Sequence, residues 1–569
     1  MATRQFNLVT DPWIKVIRAA DYRSEEVSLQ TLFQQSSDYL RLAGETQSQD
    51  LAIMRLLLAI LHTVYSRFDA TGEPYEWLTI DLESLQVAEA VEQDDYEPDD
   101  LFETWDALHQ LGHFSAIVIE YLARYQDRFD FFGERPFYQA TQSEYDVLVP
   151  EKKKVATGSG TVAIRQINRT ISESGNSPAL FAPRSDAGKD TLGMAELVRW
   201  VITYQNYTGV TDKTKIVAQE NFSNDSGWLY RLSPVFAVGD TLFNTLLLNL
   251  ILVQNEDAPY AVERPVWERP NAQRYVQDRE RQLQPDNLAA LYTSWSRVLF
   301  LQWGDDRLEN IFSAGVPPFS ADNAFLEPMT TWRWIKKEQV YRPHRKAMTS
   351  VSKAMWRNFG EYVDLHDDSK RRQPGVVTWL QTLKARKSLP GETQITLATV
   401  ALISDGNATS QAPAAEVADV MRVNADVLFD SMGAQYWPKR IEDAIESTDT
   451  VAKFYWIFVS TIAKLRNISG STFAAAEQEK FYQDLTIPFD NWLRTLSIND
   501  DRDAKIGQWN AQVKKIVLSR AKGFMTSATP RDMAGLTDEN GNETNIFIAY
   551  RQLLGRVSEQ LGDRKGEVK

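Results

Sequence analysis

The chain has no cysteine. Disulfides, thiolate zinc sites and a cysteine nucleophile are therefore excluded, and the composition suits a reducing compartment. Histidine is scarce, with five in 569 residues, which leaves little material for imidazole chemistry. Long apolar runs are missing too. The longest, residues 241–253, is interrupted by Asn244 and Asn249 and is shorter than the roughly 20 residues a bilayer span needs. It reads as buried helix. The opening Met1-Ala2-Thr3-Arg4-Gln5-Phe6-Asn7 carries no apolar signal core, so a cytoplasmic protein with no membrane partner is expected. Positive charge is also short: 62 Lys and Arg stand against 77 Asp and Glu, a net charge of −15. Proteins that bind nucleic acid alone are usually basic, so this balance argues against a self-sufficient DNA binder.

What is present describes a folded protein. Apolar residues make up 43% of the chain and aromatics 11%, far from a disordered composition. The length leaves room for two or more domains, each with its own core. Charge is unevenly spread. Residues 81–106 hold eleven acidic residues and no basic one, whereas residues 331–387 hold fourteen Lys and Arg against five Asp and Glu, a net of +9. Both runs fit solvated faces of an ordinary protein. They also fit a subunit whose assembly partners neutralise most of a nucleic-acid backbone.

Periodicity sets the expected elements. Phe6-Asn7-Leu8-Val9-Thr10-Asp11-Pro12-Trp13-Ile14-Lys15-Val16 reads as a strand, a turn at Asp11-Pro12 and a second strand, followed by a helix entered at Ser28. Helices are expected over residues 51–65, 95–125, 191–207 and 235–253, with a loop at 152–169 and a polar segment at 208–227. Residues 394–403 read as a strand and 404–413 as a turn-rich loop. Pro413 suits the first turn of a helix reaching about residue 430. Beyond about 425 strand signals nearly vanish, and helical patterns at 451–465, 473–496, 503–521 and 544–561 predict a four-helix bundle whose first helix begins after the 404–413 loop. The fold class is α+β: a large mixed domain over residues 1–420, then the bundle over 421–569.

Catalytic signatures are weak. His109 and His113 stand four apart on a predicted helix, where two imidazoles can share a metal, but no glutamate follows His109. His366-Asp367 matches only the two-letter core of HD-type phosphohydrolases. Gly188-Lys189-Asp190-Thr191 lacks the upstream glycine of a phosphate loop, because position 183 is proline. A metal-dependent hydrolase or nuclease using His109, His113 or His366 remains one alternative, and a purely structural scaffold is another.

Several segments together resemble the CasA family, the large subunit of the type I-E CRISPR surveillance complex Cascade. They are the N-terminal run quoted above, Arg135-Pro136-Phe137-Tyr138-Gln139, Pro265-Val266-Trp267-Glu268, Glu327-Pro328-Met329-Thr330-Thr331-Trp332-Arg333 and Lys353-Ala354-Met355-Trp356-Arg357. The resemblance spans essentially the whole chain. It implies a non-catalytic protein of antiviral defence with no cofactor and no metal. Some family members carry a cysteine-ligated zinc, which this chain cannot. The implied partners are double-stranded target DNA, the 5′ handle of the guide RNA, other Cascade subunits and a helicase-nuclease. The implied role is to read the protospacer-adjacent motif (PAM) in duplex DNA and to start strand separation, while base pairing to the guide reads the rest.

The resemblance also assigns residues. Ser410-Gln411-Ala412 resembles a glutamine wedge that pushes between base pairs, at an unstacking cost of about a few kcal/mol per step. Tyr207-Thr208-Gly209-Val210-Thr211-Asp212-Lys213 resembles a glycine loop lying along the minor groove, where glycine permits close backbone approach. Lys336 and Lys337 lie where a lysine finger enters the PAM minor groove. Trp334-Ile335-Lys336-Lys337 is expected as a strand with one lysine on each face, and the sequence does not say which one reaches DNA. Phe181, Ala182 and Pro183 fall where the family contacts the guide-RNA handle and a neighbouring subunit, and an aromatic such as Phe181 can stack on an extruded base.

Overall fold

The most apolar helix expected from the sequence is preceded by a short sheet, and both are found in the computed structural model. The structure describes residues 4–158, 160–167, 190–209, 213–254, 260–282, 284–305, 307–363, 365, 370–390, 392–404, 413–431, 433, 435–537 and 541–562. The chain forms two compact units. The first comprises Met1–Val351, Ser369–Thr382 and Leu397–Asp419, and the second Ser352–Asp368, Leu383–Thr396 and Val420–Lys569.

In the first unit, β1 (Ile14–Arg18), β2 (Ser24–Val27) and β3 (Tyr39–Leu42) form an antiparallel sheet in the order β2-β1-β3. Helix α1 (Leu29–Gln34) starts where expected, with the Ser28 hydroxyl accepting from the Thr31 N–H. The strand expected before the Asp11-Pro12 turn does not form. Asn7 makes one isolated bridge to Asp130. Its N–H donates to the Asp11 carboxylate and its side-chain oxygen accepts from Val9. These local bonds turn the chain where a strand would extend it. Helix α2 (Gln47–Tyr65) has buried residues on every face, as a helix through a core must.

A short ladder of β4 (Ile80–Asp81) and β5 (Gln86–Val87) precedes α3 (Pro98–Leu111) and α4 (Ile117–Arg124). The single helix expected over 95–125 is thus two, because Gly112 at φ 73° caps α3 in the left-handed conformation. Next come α5 (Gln142–Leu148), the one-turn α6 (Ile164–Ile167) inside the expected loop, and α7 (Met194–Tyr207). The helix expected over 235–253 is replaced by β6 (Val235–Val238) and a shorter α8 (Leu242–Leu248). Asn249 enforces the break, exchanging side-chain bonds with both the N–H and the C=O of Ala237. After α9 (Ala272–Arg281) and α10 (Leu288–Tyr292), β7 (Arg297–Trp303) and β8 (Leu308–Gly315) make a long hairpin. Strands β9 (Trp332–Ile335), β10 (Val340–Pro343) and β11 (Arg371–Arg372) make a sheet in the order β10-β9-β11.

Helices α11 (Phe359–Tyr362) and α12 (Gly375–Ala385) are followed by β12 (Gln394–Ser404), as expected, and then by a correction. Residues 413–424 form strand β13 (Pro413–Asn424), not a helix, in a sheet ordered β13-β12-β6. From Ala415 to Val420 exposure alternates residue by residue, the period of a strand. Proline is as acceptable at the first residue of a strand as in a first helical turn.

In the second unit, α13 (Ala425–Leu428) leads to α14 (Trp437–Arg466), α15 (Gly470–Arg494), α16 (Arg502–Thr526), the short α17 (Pro530–Ala534) and α18 (Ile546–Gln560). Helix α14 packs against α15, α16 and α18, and α16 packs against α15 and α18, which is the four-helix bundle read from periodicity. Its first helix begins at Trp437, later than expected, because β13 occupies the intervening chain. The core includes Phe489, stacked on Trp356 with ring centroids 4.4 Å apart and edge-on to Trp509 at 5.0 Å.

The entry of α2 carries a pH-sensitive group. Burial pushes the Asp50 carboxyl from 3.8 up to about 7, against the Gly44 N–H bond and Arg41 and with Glu45 and Glu416. The folded chain therefore holds a proton that the unfolded chain releases between about pH 4 and pH 7. This contribution to stability is full in acid and is lost as pH rises through 7. Asp50→Asn is expected to melt higher than the parent at pH 8 and like it near pH 4, as thermal denaturation across that range will show.

Candidate nucleic-acid interface

The two finger lysines lie in a turn, which corrects the expected strand. Strand β9 ends at Ile335, and residues 336–339 cross to Val340, which pairs with Ile335. Glu338 and Gln339 both return their N–H to the Ile335 carbonyl, and Gln339 takes φ 56°. Both lysines are exposed at this tip. The carboxylate beside them is engaged elsewhere: Glu338 pairs with Arg342, whose Nε also reaches Asp322 at 2.6 Å. Among the described residues neither Lys336 nor Lys337 has an acidic partner. Arg371 stands opposite Arg333 across β11 and β9, and the Arg372 guanidinium covers the rings of Phe325 and Tyr341 at 4.1 and 4.8 Å. The hairpin is therefore a cationic projection on a sheet that is itself basic and aromatic.

The segment bearing Gly209 leaves the C-terminus of α7. Gly209 is buried, with its carbonyl accepting from the Thr208 hydroxyl at 3.0 Å and from Arg297 Nη2 at 3.3 Å. The same Arg297 nitrogen reaches the Asp225 carbonyl at 2.9 Å. Gly227 donates its N–H to the Thr208 carbonyl at 2.9 Å. The polar segment 208–227 is therefore closed at its base by one buried arginine and one backbone bond. Gly227 must be glycine for steric reasons: a Cβ there would sit 2.3 Å from the Asn206 carbonyl oxygen. Sequence reasoning missed both Arg297 and Gly227. Nothing in their local spacing marks them, since their partners are distant in sequence or are backbone atoms.

Ser410, Gln411 and Ala412 lie outside the described residues, as do Phe181, Ala182, Pro183 and His366. The strand that follows the 405–412 segment is held by Glu416. Its carboxylate accepts from the N–H groups of Gln47 and Ser48, each at 3.1 Å, at the start of α2. A carboxylate there complements the positive end of the helix.

The histidine pair does not share a helix face. His109 ends α3 stacked on Trp105, whereas His113 follows the Gly112 cap with its Nδ1 3.0 Å from the Phe114 carbonyl oxygen. Among the described residues no group of three His, Cys, Asp or Glu side chains is placed to hold a metal.

A mixed α+β unit with a projecting basic hairpin, and a helical bundle formed mainly by the C-terminal part of the chain, define the architectural class. The crystal structure of Thermobifida fusca Cse1 shares it, with a TM-score of 0.77, 21% identity and 98% of each chain covered. A chain of a CRISPR RNA-guided surveillance complex matches with a TM-score of 0.64 at 13% identity, covering 97% of this chain and 99% of that one. A curated relative, the CRISPR-associated protein CasA/Cse1 of Thermus thermophilus, is 24% identical over 414 residues, 70% of this chain and 68% of the relative. The family model for CRISPR-associated protein Cse1 matches residues 7–519. The chain belongs to that family.

Proposed function

We propose that this chain is the large subunit of a type I-E CRISPR RNA-guided complex. In it the chain recognises the PAM in double-stranded DNA, starts strand separation and helps recruit the helicase-nuclease, and it breaks no bond itself. Family membership supports the assembly. The observation that carries DNA recognition is the hairpin tip, where Lys336 and Lys337 project without an acidic partner among the described residues. A hairpin end is narrow enough to approach a groove about 6 Å wide. The net charge of −15 makes the isolated subunit a weak binder, so recognition belongs to the assembled complex. The segment that buried Gly209 anchors docks on the groove, Ser410, Gln411 and Ala412 form the wedge, and Phe181, Ala182 and Pro183 meet the guide-RNA handle and a neighbouring subunit.

The lysines give the first test. Lys336→Ala and Lys337→Ala are expected to weaken binding of the reconstituted complex to PAM-bearing duplex unequally. The lysine that reaches the groove should cost about 1–3 kcal/mol and relax PAM preference, while the other only lowers the slope of log K against log salt by about 1. Equal, PAM-independent losses would reduce both lysines to phosphate contacts.

The decisive experiment is strand opening on two targets, one fully duplex and one already melted beside the PAM. Gln411→Ala is expected to slow opening of the duplex target and to leave the pre-melted target unaffected, with both strands intact until the effector is added. An equal defect on both targets removes the wedge assignment.

A further inference from the structure

We infer that the first unit carries a binding site for a nucleoside-phosphate unit in the cavity walled by His62, Tyr260 and Arg264. The inference is independent of PAM recognition. The cavity measures about 810 Å³, within the range of small-molecule sites and far larger than packing defects in a well-formed core.

Three features define its chemistry. The first is His62, on the α2 side, which is 1% exposed and edge-on to Tyr292 at 5.8 Å. Its Nε2 has no partner in the protein. That atom has almost no accessible surface, so His62 lines the cavity as a ring edge and not through a free nitrogen. Burial alone pushes its pKa down to about 3, so the ring is neutral and adds no charge to the cavity.

The second feature is the wall around it. Leu101, Ile251 and Leu288 are buried apolar side chains, and Tyr96 and Tyr260 stand as a tilted pair with centroids 5.6 Å apart. A flat heterocycle suits such a wall. Glu263, also lining the cavity, accepts from Ala289 and Leu288, and burial raises it to about 7. Its anionic charge is thus weakened near neutrality.

The third feature is the rim, which is cationic. Arg269 and Arg274 both pair with Asp278. Arg264, half-buried, and Arg281, exposed, have no carboxylate partner among the described residues. Two guanidinium groups at the mouth of a mixed cavity with one apolar, aromatic wall match a phosphate attached to a ring. Asp286 shares the rim and accepts from Asn287 at 2.8 Å. It opposes bare anions and suits the hydroxyl donors of a sugar. The ligand is therefore a ring, a sugar and a phosphate together, either a free mononucleotide or the end of a strand.

The test is isothermal titration of the full chain with AMP, CMP, GMP and UMP, with a 5′-phosphorylated trinucleotide, and with inorganic phosphate. At least one mononucleotide is expected to saturate a single site. Arg264→Ala and Arg281→Ala should each weaken it about tenfold, the loss of one charge-assisted contact. Arg281 is exposed, so Arg281→Ala should melt like the parent, and thermal denaturation of Arg264→Ala separates lost binding from a lost fold. If the trinucleotide binds as tightly as the mononucleotide, the natural source is a strand end; if it does not, the source is a free nucleotide. Inorganic phosphate binding as tightly as AMP overturns the assignment, as does saturation that survives the double arginine variant, or no saturation by any nucleotide.

Discussion

Glu327→Ala is expected to destabilise the first unit by about 3–5 kcal/mol, the cost of leaving one member of a buried ion pair alone. Arg55 of α2 meets the Glu327 carboxylate at 2.9 Å, and both side chains are 0% exposed. The same carboxylate accepts from Trp228 Nε1 at 2.6 Å and from the Met329 N–H at 2.9 Å. Arg55 has little else. Its guanidinium lies 4.1 Å from the centre of the Tyr292 ring, and its Nε and Nη1 have no hydrogen-bond partners. Chemical denaturation of the full chain, followed by tryptophan fluorescence, measures the effect. The paired replacement Arg55→Met with Glu327→Leu should recover part of the loss, because no buried charge remains uncompensated while the Trp228 Nε1 and Met329 N–H donors still lack their acceptor. A loss below about 1 kcal/mol in Glu327→Ala would show that water or rearrangement compensates Arg55. The effect reaches function through position: Glu327 opens the Glu327-Pro328-Met329 segment that leads directly into β9 and the lysine hairpin.

Gly227→Ala is the second large effect. The added methyl meets backbone, with the Asn206 carbonyl oxygen at 2.3 Å and its carbon at 2.4 Å. Backbone cannot rotate aside as a side chain can, so overpacking of about 1–3 kcal/mol is expected. The displaced group is the Asn206–Tyr207 peptide, which leads directly into Thr208 and Gly209 at the base of the candidate groove-docking segment. In the reconstituted complex, affinity for PAM-bearing duplex should fall at least about tenfold, a loss of 1.4 kcal/mol or more. Arg297→Lys should act in the same direction, since an ammonium cannot reproduce the fork whose Nη1 holds the Ser296 carbonyl while Nη2 holds those of Gly209 and Asp225. Thermal destabilisation with unchanged DNA affinity would separate this segment from DNA binding.

Elements with strong local periodicity were legible from sequence. Helices α2, α7 and α15 and strand β12 emerge close to their expected places because burial on one face, or on all faces, leaves a pattern in the residues. Strand β13 was not legible, since Pro413 is compatible with both a strand start and a helix start. The turn at Lys336 was not legible either, because Glu338 and Arg342 stand four apart, a spacing that fits a helix equally well, and Arg342 is held by Asp322 from outside the hairpin. The motifs that carry the family resemblance turn out to be packing anchors. Glu268 pairs with Arg67 in the core at 2.9 Å, Glu327 with Arg55, Phe137 stacks on Phe129 and Trp356 on Phe489. The resemblance is thus written mainly in residues that hold the fold. The anchors of the candidate interface, Arg297 and Gly227, act through backbone atoms and leave no pattern in the sequence.

The two units are interleaved along the chain, and this has a consequence for synthesis on the ribosome. Residues 352–368 and 383–396 belong to the second unit but precede the last stretch of the first, which ends at Asp419. They must wait for the bundle helices that follow. At a translation rate of about 5–20 residues per second that wait is roughly 10–40 s. During it Trp356 and Phe359, which are 5% and 0% exposed once folded, have no finished core to enter. The nascent chain therefore offers a defined aromatic stretch to chaperones, and no single cut in the gene can separate one unit whole from the other.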